Sequence, residues 1–83
     1  MRTLVLYARP DCHLCDEARA MIRPLVRAAG DIDLRVVDIE GDDALFRKYL
    51  ERIPVIELEG VMISELVPDQ DSISAALLHT SPR

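Results

Sequence analysis

Between Tyr7 and Leu14 the hydrophobic period of the chain changes from that of a buried strand to that of a helix, and two cysteines, Cys12 and Cys15, stand at the changeover. Thr3-Leu4-Val5-Leu6-Tyr7 is a continuous apolar, partly β-branched run that stops before Pro10 and Asp11, as expected of a strand buried on both faces. From Cys12 onward Leu14, Ala18, Met21, Ile22, Leu25, Val26 and Ala29 recur at intervals of three and four, and Gly30 follows as a C-terminal cap. Asp11 is the expected N-cap, and Asp16 and Glu17 suit the positive end of the helix dipole. Pro24 falls inside this helix, where it removes one hydrogen bond and predicts a bend or a shortened helix.

The rest of the chain follows the same punctuation. Leu34 to Ile39 reads as a second strand, and two strands joined by a helical crossover make a βαβ unit with parallel strands. The acidic stretch Glu40-Gly41-Asp42-Asp43 caps a short helix whose Leu45, Phe46, Tyr49 and Leu50 share a face, and Pro54 ends that section. Val55 to Leu58 and Val61 to Ile63, joined by Glu59-Gly60, form a β-hairpin in which Gly60 supplies the positive φ of a tight turn. Asp69 or Asp71-Ser72 caps a last helix that carries Ile73, Ala76 and Leu77 on one side and frays before Pro82. The order is βαβαββα, an α/β fold with a mixed four-stranded sheet, helices on both faces and one domain over residues 1–83.

Size and charge narrow the function classes. A chain of 83 residues builds a single modest core. Ten Lys and Arg against 15 Asp and Glu leave a net charge of −5, which argues against nucleic acid and anionic membranes as partners. The apolar run Leu4 to Ala8 is too short for a signal-peptide core, so a cytoplasmic setting is expected. In a reducing compartment two cysteines do not serve as a structural bridge, and their spacing calls for a chemical reason.

That spacing places Cys12 at a helix N-terminus, where unpaired amides and the positive end of the dipole stabilise a thiolate, the form that attacks disulfides. Cys15, one turn on and more buried, is positioned to attack the resulting mixed disulfide. A Cys-x-x-Cys pair beside a βαβ pattern is a redox signature. Zinc is the rival reading, but zinc takes four ligands, and beyond the two thiols the chain has only His13, inside the motif, and the remote His79. Two space-filling thiols would sit on an apolar face rather than at a polar boundary.

Arg9-Pro10-Asp11-Cys12-His13-Leu14-Cys15 after an apolar strand resembles the entry motif of the glutaredoxins, and Ile53-Pro54-Val55-Ile56 resembles their second hallmark. The resemblance spans nearly the whole chain and implies a thioredoxin-like, glutaredoxin-like fold. It further implies a cis Ile53-Pro54 bond facing the thiols, with the backbone of Ile53 pairing to bound peptide. The chain departs from the family at three points. Where glutaredoxins carry a Gly-Gly pair for the γ-glutamyl end of glutathione, it has Ser64 and Glu65. A glutamate there opposes an anionic tripeptide unless an arginine, Arg9 or Arg52, compensates. Leu14 replaces the common aromatic residue, and His13 stands where proline or glycine is usual.

Several side chains carry two readings each. Protonated His13 would favour the Cys12 thiolate, or it is simply solvated. Arg9 recruits an anionic substrate or pairs with Asp11. Arg19, Arg23 and Arg27 form a basic stripe, read first as a solvated helix face. Tyr7 and Tyr49 are core or rim residues with hydroxyls in water, and Met62 and Leu66 line a peptide groove or merely pack.

The sequence therefore reads as a thiol-disulfide oxidoreductase with Cys12 as nucleophile, Cys15 as resolving thiol, and Arg9, His13, Leu14, Ile53 and Pro54 as the substrate-binding set. No cofactor is expected, and the altered motif argues against glutathione as co-substrate. The expected partner is a disulfide-bearing protein or a small thiol, served by a thioredoxin-type or glutathione reductant, with the protein acting as a monomer. The alternative is a non-catalytic thioredoxin-fold module that docks a partner or a metal cluster through the same thiols.

Overall fold

The computed structural model describes residues 1–79, without the side chain of His79. Four strands, β1 (Arg2–Ala8), β2 (Ile32–Asp38), β3 (Val55–Leu58) and β4 (Val61–Ser64), form one sheet in the order β2-β1-β3-β4. β1 runs parallel to β2 and antiparallel to β3, and β3 runs antiparallel to β4, so the expected mixed sheet forms. The helices are α1 (His13–Ala29), α2 (Asp43–Tyr49) and α3 (Gln70–His79), with a 3-10 turn at Ile39–Gly41 before α2. The expected fraying before Pro82 lies outside the described residues.

Alternation along β1 decides where the core sits. Leu4, Leu6 and Ala8 are 0 to 3% exposed and pack with Ile56 and Leu58 of β3, Ala18 and Ile22 of α1, and Ile73 and Leu77 of α3. Each large aliphatic side chain buried this way contributes about 1.5–3 kcal/mol. The opposite face carries a smaller cluster of Ile39, Tyr49 and Val55, with Tyr7, Leu45 and Phe46 at its edge. Helices thus cover both faces, but unequally. Thr3 and Val5 are half-buried, which corrects the expectation of a strand buried on both sides. The seven residues of α2 are too short to cover that face from end to end.

Local signals explain most boundaries. Gly30 at φ 79° closes α1 and donates its N–H to the Val26 carbonyl at 3.2 Å. Asp42 accepts from the amides of Ala44 and Leu45, and Asp69 from those of Asp71 and Ser72, so α2 and α3 start on aspartate caps. Glu59 and Gly60 both have positive φ, 51° and 81°, giving the two-residue turn whose twist matches the hairpin.

Two expectations about α1 need correction. Of the bend or shortening expected at Pro24, the shortening does not occur: the helix runs 17 residues, from His13 to Ala29. Pro24 and Ala20 both face solvent, so water can serve the carbonyl that Pro24 leaves without a donor. The N-cap is Cys12, not Asp11: Asp11 takes a left-handed conformation (φ 59°) in the preceding turn, and the helix starts one residue later.

Candidate active site

Strand register brings four segments to one end of the sheet. Ala8 pairs with Asp38, Tyr7 with Val55, and Ile56 with Ser64. The chain just beyond Ala8, around Asp38, just before Val55 and just after Ser64 therefore meets at the C-terminal end of β1. Cys12 and Cys15 stand there at the start of α1, joined by a disulfide.

Their environments differ. Cys15 is 1% exposed and belongs to the main core, whereas Cys12 is half-buried at its border. Cys12 caps the helix through its sulfur, which accepts the Cys15 N–H at 3.1 Å, and its carbonyl accepts the Asp16 N–H at 3.1 Å. The sulfur that solvent reaches is thus also the one that receives an amide of the first turn. The sequence anticipated the helix terminus but missed this cap, because Asp11 carries the stronger local signal.

The Ile53–Pro54 peptide bond is cis, and Pro54 is buried. The Ile53 N–H donates to the Tyr49 carbonyl at 3.0 Å, which leaves its carbonyl for other partners. Beside this loop the Leu66 N–H donates to the Arg52 carbonyl at 3.0 Å, fastening the segment after β4 to the segment before β3. Leu66 takes a left-handed backbone, φ 64°, and is 48% exposed.

Three basic side chains at this end, Arg9, His13 and Arg52, face carboxylates of the chain itself, whereas the Arg19 Nε is buried without a hydrogen-bond partner among the described residues. Arg9 Nε lies 3.6 Å from Glu40 rather than pairing with Asp11. His13 Nε2 lies 3.2 Å from Glu17, one turn along α1. Arg52 Nε donates to Glu65 at 2.7 Å, and this hydrogen bond raises the Arg52 pKa further. Leu14 is exposed on the first turn of α1.

Behind the site, on the α2 face, the hydroxyls of Tyr7 and Tyr49 share one carboxylate. Both donate to Glu57, at 3.2 and 2.8 Å, and the two rings stack 4.7 Å apart. Burial, and then the Glu57 charge, push the Tyr7 hydroxyl pKa up. Of the basic stripe, Arg23 and Arg27 are exposed, while Arg19 is half-buried against a groove of about 230 Å³ that also touches Arg9, Asp16 and Asp38. Among the described residues no group of three or more His, Cys, Asp or Glu is placed to hold a metal ion, and none of the helices is long and apolar enough to cross a membrane.

Known proteins place this architecture. A solution structure of protein Ne2328 from Nitrosomonas europaea is 37% identical, covers 89% of this chain and 88% of its own, and superposes with a TM-score of 0.74. A crystal structure of protein XcR50 from X. campestris is 29% identical over 94% of this chain and 99% of that one, with a TM-score of 0.67. Oxidised thioredoxin from Plasmodium falciparum shares the fold at a TM-score of 0.68 with 11% identity, covering 93% of this chain and 78% of its own. No curated protein sequence gives a significant match. The model of the glutaredoxin-like domain (DUF836) matches residues 3–78. A disulfide at the head of α1, a cis proline at the start of β3 and a thioredoxin-type sheet are what that match spans, and the chain belongs to the glutaredoxin-like domain family.

Proposed function

We propose that the protein is a thiol-disulfide oxidoreductase in which Cys12 is the nucleophile and Cys15 the resolving thiol. The supporting observation is the asymmetry of the pair: Cys12 is the more accessible sulfur and receives the Cys15 amide, while Cys15 is enclosed in the core. In the reduced protein the helix terminus favours the Cys12 thiolate. The thiolate attacks a substrate disulfide; its electron pair forms the new S–S bond, and the displaced sulfur leaves as a thiolate that takes a proton from water. Cys15, deprotonated in turn, attacks the Cys12 sulfur and releases the second substrate thiol. Two electrons have then passed to the substrate, and the protein holds the Cys12–Cys15 disulfide. A thioredoxin-type or glutathione reductant returns it to the dithiol.

Substrate contact falls to Leu14 and Ile53, with buried Pro54 fixing the backbone of Ile53 and with Arg9 and His13 facing Glu40 and Glu17. Because the Ile53 N–H is held by Tyr49, a docked peptide would donate to the Ile53 carbonyl. The partner is a disulfide-bearing protein or small disulfide, met by a cytoplasmic, monomeric protein acting as one domain over residues 1–83.

Cys15→Ser tests the assignment. When a disulfide substrate is added, it should accumulate a covalent adduct on Cys12, seen as a mass increase, whereas Cys12→Ser should not accumulate one on Cys15. Adducts collecting at Cys15 instead would reverse the roles.

A further inference from the structure

The segments that flank the Ile53–Pro54 loop carry one ion pair, at the same end of the sheet as the two cysteines. β3 begins opposite Tyr7 and β4 ends at Ser64, so Arg52 and Glu65 both extend from the thiol end of the sheet. The hydrogen bond from the Leu66 N–H to the Arg52 carbonyl keeps the two segments side by side. Across that junction Glu65 Oε2 accepts from Arg52 Nε at 2.7 Å, and the other arm of the guanidinium reaches the Met62 sulfur at 3.4 Å. Both side chains are about two-fifths exposed, 41 and 37%, and a pair in that much solvent adds little to stability. Its effect falls on whatever approaches the site.

We infer that Glu65 is a specificity-determining residue: by occupying Arg52 it denies a cation to disulfides that carry carboxylates beside their sulfurs, and the site prefers neutral or cationic ones. This deepens the thiol-exchange reading above and rests on it. A carboxylate-bearing substrate meets a nucleophile that is itself anionic, so it needs a positive group nearby to offset the repulsion. Arg9, Arg19 and Arg52 could each supply one. Arg9 and Arg52 are turned to carboxylates of the chain, Glu40 and Glu65, while Arg19, whose Nε has no hydrogen-bond partner among the described residues, is half-buried in a groove that Asp16 and Asp38 also line. Asp11, Asp16 and Asp38 stand at the same end, and their charges add to the repulsion.

The two electrons of the reduced dithiol suffice for one turnover: dithiol plus R–S–S–R gives the Cys12–Cys15 disulfide plus two R–SH. The test uses pre-reduced protein freed of reductant. It is mixed with cystamine (cationic), bis(2-hydroxyethyl) disulfide (neutral) or 3,3′-dithiodipropionate (anionic). Each rate is divided by that of dithiothreitol with the same compound, which removes intrinsic reactivity. The normalised rates should fall from cation to neutral to anion, and the spread should narrow as salt rises from about 50 mM to about 0.5 M. Glu65→Gln should raise the anion-to-neutral ratio about threefold, the effect of one unit charge at roughly 7 Å through water. In Glu65→Gln/Arg52→Gln that gain should vanish, since the freed guanidinium is what produces it.

Equal normalised rates for the three compounds, insensitive to salt, would overturn the specificity and leave thiol exchange standing. A gain that persists in the double variant would assign the effect to something other than Arg52 and also overturn it. If the protein reacts with none of the compounds while dithiothreitol reacts with all, thiol exchange fails and takes the specificity with it.

Discussion

The backbone N–H of Cys15 donates to the sulfur of Cys12 at 3.1 Å, so the helix that carries both cysteines is capped by one of them. An N-cap acceptor stabilises a helix start whether it is oxygen or sulfur, and here the same contact disposes negative charge toward Cys12. After reduction, Cys12 should be alkylated by iodoacetamide at neutral pH on the order of tenfold faster than Cys15. Fragment-ion mass spectrometry of the peptide that holds both residues reads the order directly, and equal rates would contradict the assignment.

Arg2 is only 5% exposed, lies at the start of β1, and reaches Asp31 through two hydrogen bonds of 3.0 and 2.9 Å and the Leu77 carbonyl through one of 2.8 Å. It thereby ties the head of the sheet to the loop before β2 and to α3. Arg2→Met removes these bonds at a buried position and should lower stability by about 1–3 kcal/mol in urea unfolding. A loss well under that range would mean that the methionine repacks without leaving the Leu77 carbonyl deprived.

Acid should weaken the fold through two aspartates. The Arg2 hydrogen bond holds the Asp31 carboxyl below its ordinary pKa, and the Ser72 hydroxyl does the same for Asp69 at the head of α3. A folded pKa below the unfolded one means that the stabilisation is complete above about pH 5 and is lost as pH falls through about 4 toward 2. The urea midpoint should therefore drop over that range. Asp31→Asn should flatten the drop while lowering the midpoint at neutral pH; an unchanged acid limb would place the titration elsewhere.

Glu59 sits at φ 51° in the first turn position of the β3–β4 hairpin, a conformation that a long side chain tolerates poorly and asparagine accepts. Glu59→Asn should raise stability by about 0.5–1 kcal/mol. A destabilised variant would mean that the Glu59 charge near Arg2 outweighs the turn preference.

Tyr7 should titrate above the ordinary tyrosine range, followed through phenolate absorbance, because burial and then the Glu57 charge disfavour its anion. Glu57→Gln removes the charge and leaves the burial, so the midpoint should fall only part of the way back. Full restoration to the ordinary value would make the carboxylate, and not desolvation, the main cause.

How much was legible beforehand depends on the distance over which each feature is specified. The Gly30 end of α1, the aspartate caps of α2 and α3 and the Gly60 turn are written in residues within a turn of each other, and they form where the sequence puts them. The redox pair was legible for the same reason, since three residues on a helix start define its geometry. The Asp11 cap failed at the scale of one residue: the chain needed a left-handed turn after Pro10, and Asp11, tolerant of that conformation, supplied it.

The chain's own pattern of periods and breakers determined the element order, the mixed sheet and the placement of Cys12 and Cys15, because hydrophobic period and capping act locally along the backbone. Only the tertiary structure decided which carboxylate meets which cation or hydroxyl: Glu40 with Arg9, Glu65 with Arg52, and Glu57 with both tyrosines. Those partners come from different elements and meet because strand register draws the elements together. Charge and hydrogen bonding leave no periodic trace in a sequence, so the electrostatic character of the thiol end emerged only once the sheet was assembled.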